Sequence, residues 1–230
     1  MPELPFDYDC DPGRFRANQQ AARQFSASAD VHRAVAERFS ASSAGAVLDL
    51  GCGEGRFTRP ACELGLTVTA FDLSATMLAG VNGARVRGEA ARLPFGRGAF
   101  GAAAALYMLY HLPQPRLALA ECRRVLRPGG WLAASAPSRF NDPELAEYLP
   151  AESESSFDAE NGLEQVAEFF EIMAVERWDA PLARLPDRAA LALYLRGRGL
   201  GPEAIAARLP RIQTPLTLTK RGMLIYAKRN

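Results

Sequence analysis

The chain has 230 residues, 48% of them hydrophobic, four cysteines and a formal net charge of +1. That length suits one domain with elaborations and a substantial core, and the near-neutral charge supplies no global field for nucleic acid, an anionic membrane or an acidic ligand. The cysteines (Cys10, Cys52, Cys62 and Cys122) form no CxxC pair and have no histidine at metal-ligand spacing. This argues against a structural zinc or a disulfide framework and leaves no metal site to name.

The first segment, "MPELPFDYDCDPG", is acidic and broken by prolines, unlike a secretory signal. Residues 14–26 and 30–40 then read as helices, the second with Val31, Val35 and Phe39 at i, i+4 and i+8 on one buried stripe. "SASSAG" is a break. Beyond it strands and helices alternate to about residue 136: strand "AVLDL", helix "RFTRPACEL", strand "TVTAFDL", helix "SATMLAGV", strand "ARVRG", loop "EAARLPFGRG", strand "AFGAAAALY", helix "QPRLALAECRRVL", turn "RPGG", strand "WLAASAP". The longest apolar stretch, 99–110, is too short to span a bilayer. Apolar strands separated by helices predict a parallel sheet covered on both faces.

Past Pro137 the rhythm loosens. "NGLEQVAEFF" reads as a helix, "EIMAVERW" as a strand, "DRAALALYLRGRG" and "PEAIAARL" as short helices, and "GMLIYAKR" as a last strand. Pro202 opens the second short helix at a tolerated first-turn position, and Gly197 reads as the C-cap of the one before it. Of the 27 basic residues only Lys220 and Lys228 are lysines. With the alanine runs, this reads as genomic composition bias.

The chemistry concentrates in "VLDLGCGEGRFT", residues 47–58. Gly51, Gly53 and Gly55 let the backbone bend and approach a ligand without a Cβ in the way, at the strand's carboxyl end, where open α/β sheets bind ligands. A dinucleotide site would show G-x-G-x-x-G. Here the spacing is G-x-G-x-G behind Asp49, and an acid there suits a cation better than a diphosphate. Asp72, 17 residues after Gly55 and ending the second strand in "TAFDLS", is placed to accept both ribose hydroxyls of a nucleoside.

With these residues in view, the chain resembles the class I S-adenosylmethionine-dependent methyltransferases, in their small-molecule branch, from about residue 44 to 136. "VLDLGCGEG" is similar to the family's first motif and "AFDLS" to its second. "GEAARLPF" is similar to the stretch bordering the adenine, and "LYHLPQPRLALAECRRVLRPGGWLAAS" to the segment linking the fourth and fifth strands. The resemblance implies S-adenosyl-L-methionine as cofactor. It implies Asp49 on the methionine amino group or its water, Gly51 and Gly53 along the methionine moiety, and Asp72 on the ribose. Leu73 and Met77 would pack near the adenine, Glu89 (where the family commonly has Asp) with Ala90 would reach its edge, and Tyr107 would meet the methionine end near the reacting methyl. Gly101 departs from relatives that carry Asp there.

For methyl transfer, His111 in "LYMLYHLP" is the candidate general base, with helix-start packing as the alternative, and Tyr107 the second candidate at the reacting end. His32 reads as a surface or packing residue. Tyr8, Arg14, Arg16 and Arg23 in the N-terminal cover are candidates for the cofactor carboxylate, with Arg16 the choice. The Arg-Gly pairs at 196–199 do not make an RNA-binding tail.

The expected fold is therefore α/β: a Rossmann-like, seven-stranded, mostly parallel sheet with helices on both faces and, as the resemblance implies, an antiparallel last strand. It forms a single domain, 1–230, with a helical cover over 1–43, a core at 44–180 and 213–230, and a small helical insertion at 181–212 before the last strand. The expected function is methyl transfer to a small-molecule O, N or C nucleophile, in the cytoplasm, without membrane partners. The alternatives are an RNA or protein methyltransferase, disfavoured by the charge, and a module that binds the cofactor without transferring methyl. Acceptor choice is expected in 181–212, where Leu185, Leu191, Tyr194 and Leu195 could form a lid, and in the N-terminal helices, not in the glycine loop. The oligomeric state stays open, a homodimer included.

Overall fold

The computed structural model describes residues 11–27, 30–150 and 155–230; Tyr8 and Cys10, named above, lie outside the described residues. The elements follow in chain order: α1 (Pro12–Phe25), α2 (Val31–Ala41), β1 (Ala46–Leu50), α3 (Thr58–Glu63), β2 (Thr67–Asp72), α4 (Ala75–Ala79), β3 (Ala84–Arg87), β4 (Phe100–Leu106), α5 (Pro115–Val125), β5 (Leu126–Pro137), α6 (Gly162–Ala167), β6 (Glu171–Leu185), α7 (Arg188–Gly197), α8 (Pro202–Arg208) and β7 (Leu216–Lys228). The strands form one seven-stranded sheet in the order β3-β2-β1-β4-β5-β7-β6. β1 pairs in parallel with β2 and β4, β2 with β3, and β4 with β5, while β7 runs antiparallel to β5 from Trp131↔Lys228 to Pro137↔Gly222. The order reverses between β1 and β4, and the crevice beyond their carboxyl ends is where such sheets bind ligands.

The chain divides into two compact units. The larger comprises 30–139, 154–177 and 222–230. Its centre is β4, buried along its whole length, where alanines at 102–105 leave no solvent-exposed surface. Such small side chains are compatible with flanking layers packed close to the sheet. On α2, Val35 and Phe39 are fully buried, and Phe39 meets Phe57 edge to face at 6.1 Å. A Cβ on Gly101 would stand 1.7 Å from the Ala44 carbonyl oxygen, so an aspartate cannot occupy that position in this backbone.

The smaller unit comprises 1–29, 140–153 and 178–221. Ala21, Leu145, Leu185, Leu191, Tyr194, Leu195, Ile205 and Leu218 form its core. α1 and α7 approach so closely that a Cβ on Gly197 would meet the Asn18 Cα at 2.7 Å. Gly197 is thus a packing glycine within α7. The cap is Gly199, at φ +92°: its amide and that of Leu200 donate to Arg196 O and Leu195 O, the paired bonds of a Schellman motif. Inside the unit Tyr194 donates to Asp142 Oδ2 (2.5 Å), and Lys220 donates to Asp142 Oδ1 and to the Tyr194 oxygen (2.7 Å each). Asp142 is fully buried, so the carboxylate is held by partners instead of water. Arg196 pairs with Asp11 at 2.6 Å and Arg198 lies 3.9 Å from Asp142, which commits both arginines of the Arg-Gly stretch to carboxylates.

Three strands outrun their expected limits, β5 by starting at Leu126, through the expected turn at 127–130. β6 continues to Leu185, into the region expected to be insertion, and β7 starts at Leu216 instead of 222. Pro181 argues for a strand end, but β6 is the edge strand of the sheet, where a missing N–H is tolerated.

Candidate functional site

The glycine loop leaves β1 with Gly51, Gly53 and Gly55 all at positive φ, between +53° and +80°. A Cβ on Gly51 would meet the Met108 side chain at 2.6 Å, so glycine is needed there for space as well as for conformation. The loop is pinned to β2: the Gly51 and Cys52 amides donate to Phe71 O. Asp72 completes the join, accepting the Gly53 amide on one carboxylate oxygen and the Ser74 amide on the other (2.9 Å each). A carboxylate offers about four acceptor sites, and this group is half-buried at the carboxyl end of β2.

Asp49 is 3% exposed and accepts the Thr58 amide at 3.1 Å and its hydroxyl at 2.5 Å, both on Oδ2. Burial pushes its pKa up to about 7, the Asp72 charge adds to the rise, and the Thr58 bonds oppose it. A buried carboxyl so placed behind a bare backbone loop suits a cationic ligand group.

The adenine-side residues gather along β2 and the following turns. Leu73 is an exposed apolar side chain, Met77 is buried one turn into α4, Glu89 is exposed and Ala90 is buried. The Gly88 amide donates to Asp72 O, which ties the 88–90 turn to the end of β2. The loop behind it is fastened by residues with no motif to announce them. Glu121 accepts the Leu93 amide, and Arg124 donates to Leu93 O and Phe95 O while pairing with Glu121 at 2.7 Å.

At the end of β4, Tyr107 takes φ +55°, a left-handed conformation that costs a non-glycine residue energy. Its amide donates to Ser135, and burial raises its phenol to about 12. His111 lies in a single 3-10 turn (Leu109–His111), its ring 4.3 Å from that of Tyr110. His32 was read as a surface or packing residue, and it is buried: its ring lies 5.9 Å from the Tyr107 ring, and its Nδ1 is 3.3 Å from Asp30. Asp30, His32 and Arg56 were not foreseen here. Arg16 is exposed on α1, in the smaller unit, and Tyr194 is buried there with its hydroxyl on Asp142.

A family model described as "Methyltransferase domain" matches residues 48–134, from β1 into β5, the span that holds the glycine loop, Asp72 and Tyr107. The match to a methyltransferase domain is therefore confined to these residues, which hold most of β1, all of β2 to β4 and most of β5. Demethylmenaquinone methyltransferase of Renibacterium salmoninarum is 34% identical over 107 residues, covering 44% of this chain and 44% of the relative. Ubiquinone biosynthesis O-methyltransferase of Paraburkholderia xenovorans is 36% identical over 120 residues, covering 46% and 50%. The chain thus spans about half the length of the curated relatives it matches. Among solved structures the methyltransferase fold recurs in the [4+2]-cyclase SpnF (TM-score 0.66, 18% identity, 96% of this chain and 94% of that one). It recurs also in the YcgJ protein from Bacillus subtilis (TM-score 0.62, 18% identity, 86% and 99%).

The residues present fit S-adenosylmethionine, the cofactor that the sequence resemblance implies. The loop glycines at positive φ can follow the methionine chain, Asp49 behind them can meet its ammonium, and Asp72 at the end of β2 stands where a ribose would lie. Among the described residues no group of three or more His, Cys, Asp or Glu is placed to hold a metal ion, and no helix is long and apolar enough to cross a membrane. Cys52, Cys62 and Cys122 are free thiols.

Proposed function

We propose that the protein transfers the methyl group of S-adenosylmethionine to a small molecule with an oxygen, nitrogen or carbon nucleophile, in the cytoplasm. The observation that carries this reading is the carboxylate of Asp72, which joins the glycine loop to β2 at the strand's carboxyl end, where sheets of this kind bind ligands. The relatives named for quinone-pathway methylations support a small acceptor, and the near-neutral charge supports one over RNA.

The bound cofactor would supply a sulfonium methyl open to in-line displacement. The protein's part is positional. The glycine loop and Asp49 would hold the methionine end, Asp72 the ribose, and Leu73 with Ala90 the adenine side, while Tyr107 would shape the reacting end. Fixing both partners in line is worth roughly 7–11 kcal/mol of a displacement barrier. Tyr107 keeps its proton at neutral pH, so it serves as a hydrogen-bond donor or a ring face, not a base.

The test is incubation with methyl-labelled S-adenosylmethionine and a panel of small catechols, phenols and amines. Label transferred with equimolar S-adenosylhomocysteine supports the reading. The SpnF likeness is one of fold alone, yet that neighbour is titled a cyclase, which keeps a second reading in view. Calorimetric binding of the cofactor without turnover on any acceptor would favour that second reading, a cofactor-binding module.

A further inference from the structure

Asp30, His32, Arg56 and Tyr107 gather beyond the carboxyl ends of β1 and β4, two of them from outside the motifs. Asp30 is the N-cap of α2; its Oδ1 accepts the His32 amide at 3.0 Å and stands 3.3 Å from His32 Nδ1. The His32 ring faces that of Tyr107 at 5.9 Å with a 36° tilt. Arg56, the residue after Gly55, is close enough for its charge to act on Asp30, His32 and Tyr107 alike. All four belong to the larger unit; Tyr107 directly follows β4, and Arg56 lies in the glycine loop between β1 and α3.

We infer that His32 is the general base for the methyl acceptor, with Asp30 fixing its tautomer and Tyr107 lining the same face. The inference rests on the methyltransferase reading and gives that site a proton acceptor. A carboxylate at Nδ1 places the ring proton there and leaves Nε2 as a lone-pair acceptor, the arrangement by which a carboxylate orients a catalytic imidazole. Burial and the Arg56 charge hold His32 below the ordinary histidine pKa, against the pull of Asp30, so the ring is neutral at pH 7 and able to accept a proton. Asp30 itself is held down to about 2 by His32 and so remains a carboxylate throughout. In the balanced step, the acceptor O–H bond breaks with its proton passing to Nε2. The acceptor oxygen forms its bond to the methyl carbon, and the C–S electron pair stays with sulfur. The imidazolium formed beside Asp30 then returns its proton to solvent. The strained φ of Tyr107 fits a side chain needed in that spot. His111, turned onto Tyr110, belongs to the next stretch of chain.

The chain has only two histidines, so imidazole ¹⁵N NMR resolves both, with His111→Gln assigning them. The expected spectrum shows His32 protonated on Nδ1 and neutral at pH 7, with the tautomer preference lost in Asp30→Asn. His32 protonated on Nε2, or charged at pH 7, overturns the inference without any acceptor being known. The kinetic test uses 3,4-dihydroxybenzoate and 4-nitrocatechol at pH 8, the second already ionised and in no need of a base. His32→Gln should lose about 10²–10⁴-fold in kcat on the first acceptor. It should lose less than tenfold on the second, with S-adenosylhomocysteine affinity unchanged by calorimetry. Equal losses on both acceptors from an active wild type overturn the assignment of His32 alone. A wild type that binds the cofactor and methylates no member of the panel of catechols, phenols and amines overturns it together with the reading beneath it.

Discussion

Asp49 shows how a single buried carboxyl can couple binding to pH. Its folded pKa is raised from the ordinary 3.8 to about 7, so the protein gains stability from the protonated form below pH 4. That gain is lost as pH rises through about 7. Asp49→Asn keeps an oxygen for Thr58 and carries no charge, so it should raise the melting temperature at pH 8 and change it little at pH 5. A shift of this size bounds the gain at roughly 4 kcal/mol. The same variant should bind S-adenosylhomocysteine at least tenfold more weakly, since the ligand ammonium loses its counter-charge. Binding to the wild type near pH 6.5 should release a proton, visible as a heat that differs between buffers of unlike ionisation enthalpy. Equal melting differences at pH 5 and 8 would refute the assignment.

Asp72 carries a structural duty that its motif alone does not disclose. It takes the Gly53 and Ser74 amides, so Asp72→Ala should weaken cofactor binding by about 1.5–3 kcal/mol and also lower the melting temperature, because two amides lose their acceptor. A 2′-deoxy form of the ligand should bind the wild type more weakly yet cost the variant nothing further. Both side chains stand out in the sequence as candidate ligand residues because an acid at a strand end beside a glycine loop has few other uses. The role of His32 was hidden, since one histidine on a helix stripe carries no spacing signal. Only the folding of α2 onto the end of β4 brings it to Tyr107.

At the level of elements, periodicity located nearly every helix and strand, since burial on one face leaves a repeating trace. It failed where the trace is weakest. Pro181 conceals the continuation of edge strand β6, and the polar start of β7 reads as loop. Gly197 was misread because a glycine near a helix end normally caps it. Here the neighbour is another helix, and the cap falls two residues later, at Gly199. Gly197→Ala should therefore destabilise the protein by about 1–3 kcal/mol as overpacking against the Asn18 backbone, whereas the same change at an exposed helical site would stabilise. Chemical denaturation with both variants decides between packing and propensity.

Across the whole molecule, the parallel, helix-covered sheet followed from the alternation of strands and helices, and its antiparallel last strand from the resemblance; the strand order came from the structure. The division into two units did not, because the smaller one is assembled from three separate stretches of chain. Every residue placed on the cofactor except Arg16 lies in the larger unit. Hydrogen exchange should therefore slow in peptides covering 49–58, 72–77 and 88–93 when S-adenosylhomocysteine is added. If Arg16 holds the ligand carboxylate, α1 should slow with them and Arg16→Ala should abolish that part of the change. An unaltered α1 would remove Arg16 from the site.

The near absence of lysine gives the protein an unusual chemical transparency. One of its two lysines, Lys220, donates to both Asp142 and Tyr194, and the other, Lys228, lies over the Trp131 ring. An acylating reagent thus meets very few primary amines. The rate at which Lys220 is modified becomes a clock for the opening of the smaller unit's buried ion cluster, readable by mass spectrometry at a single residue in the unmutated protein.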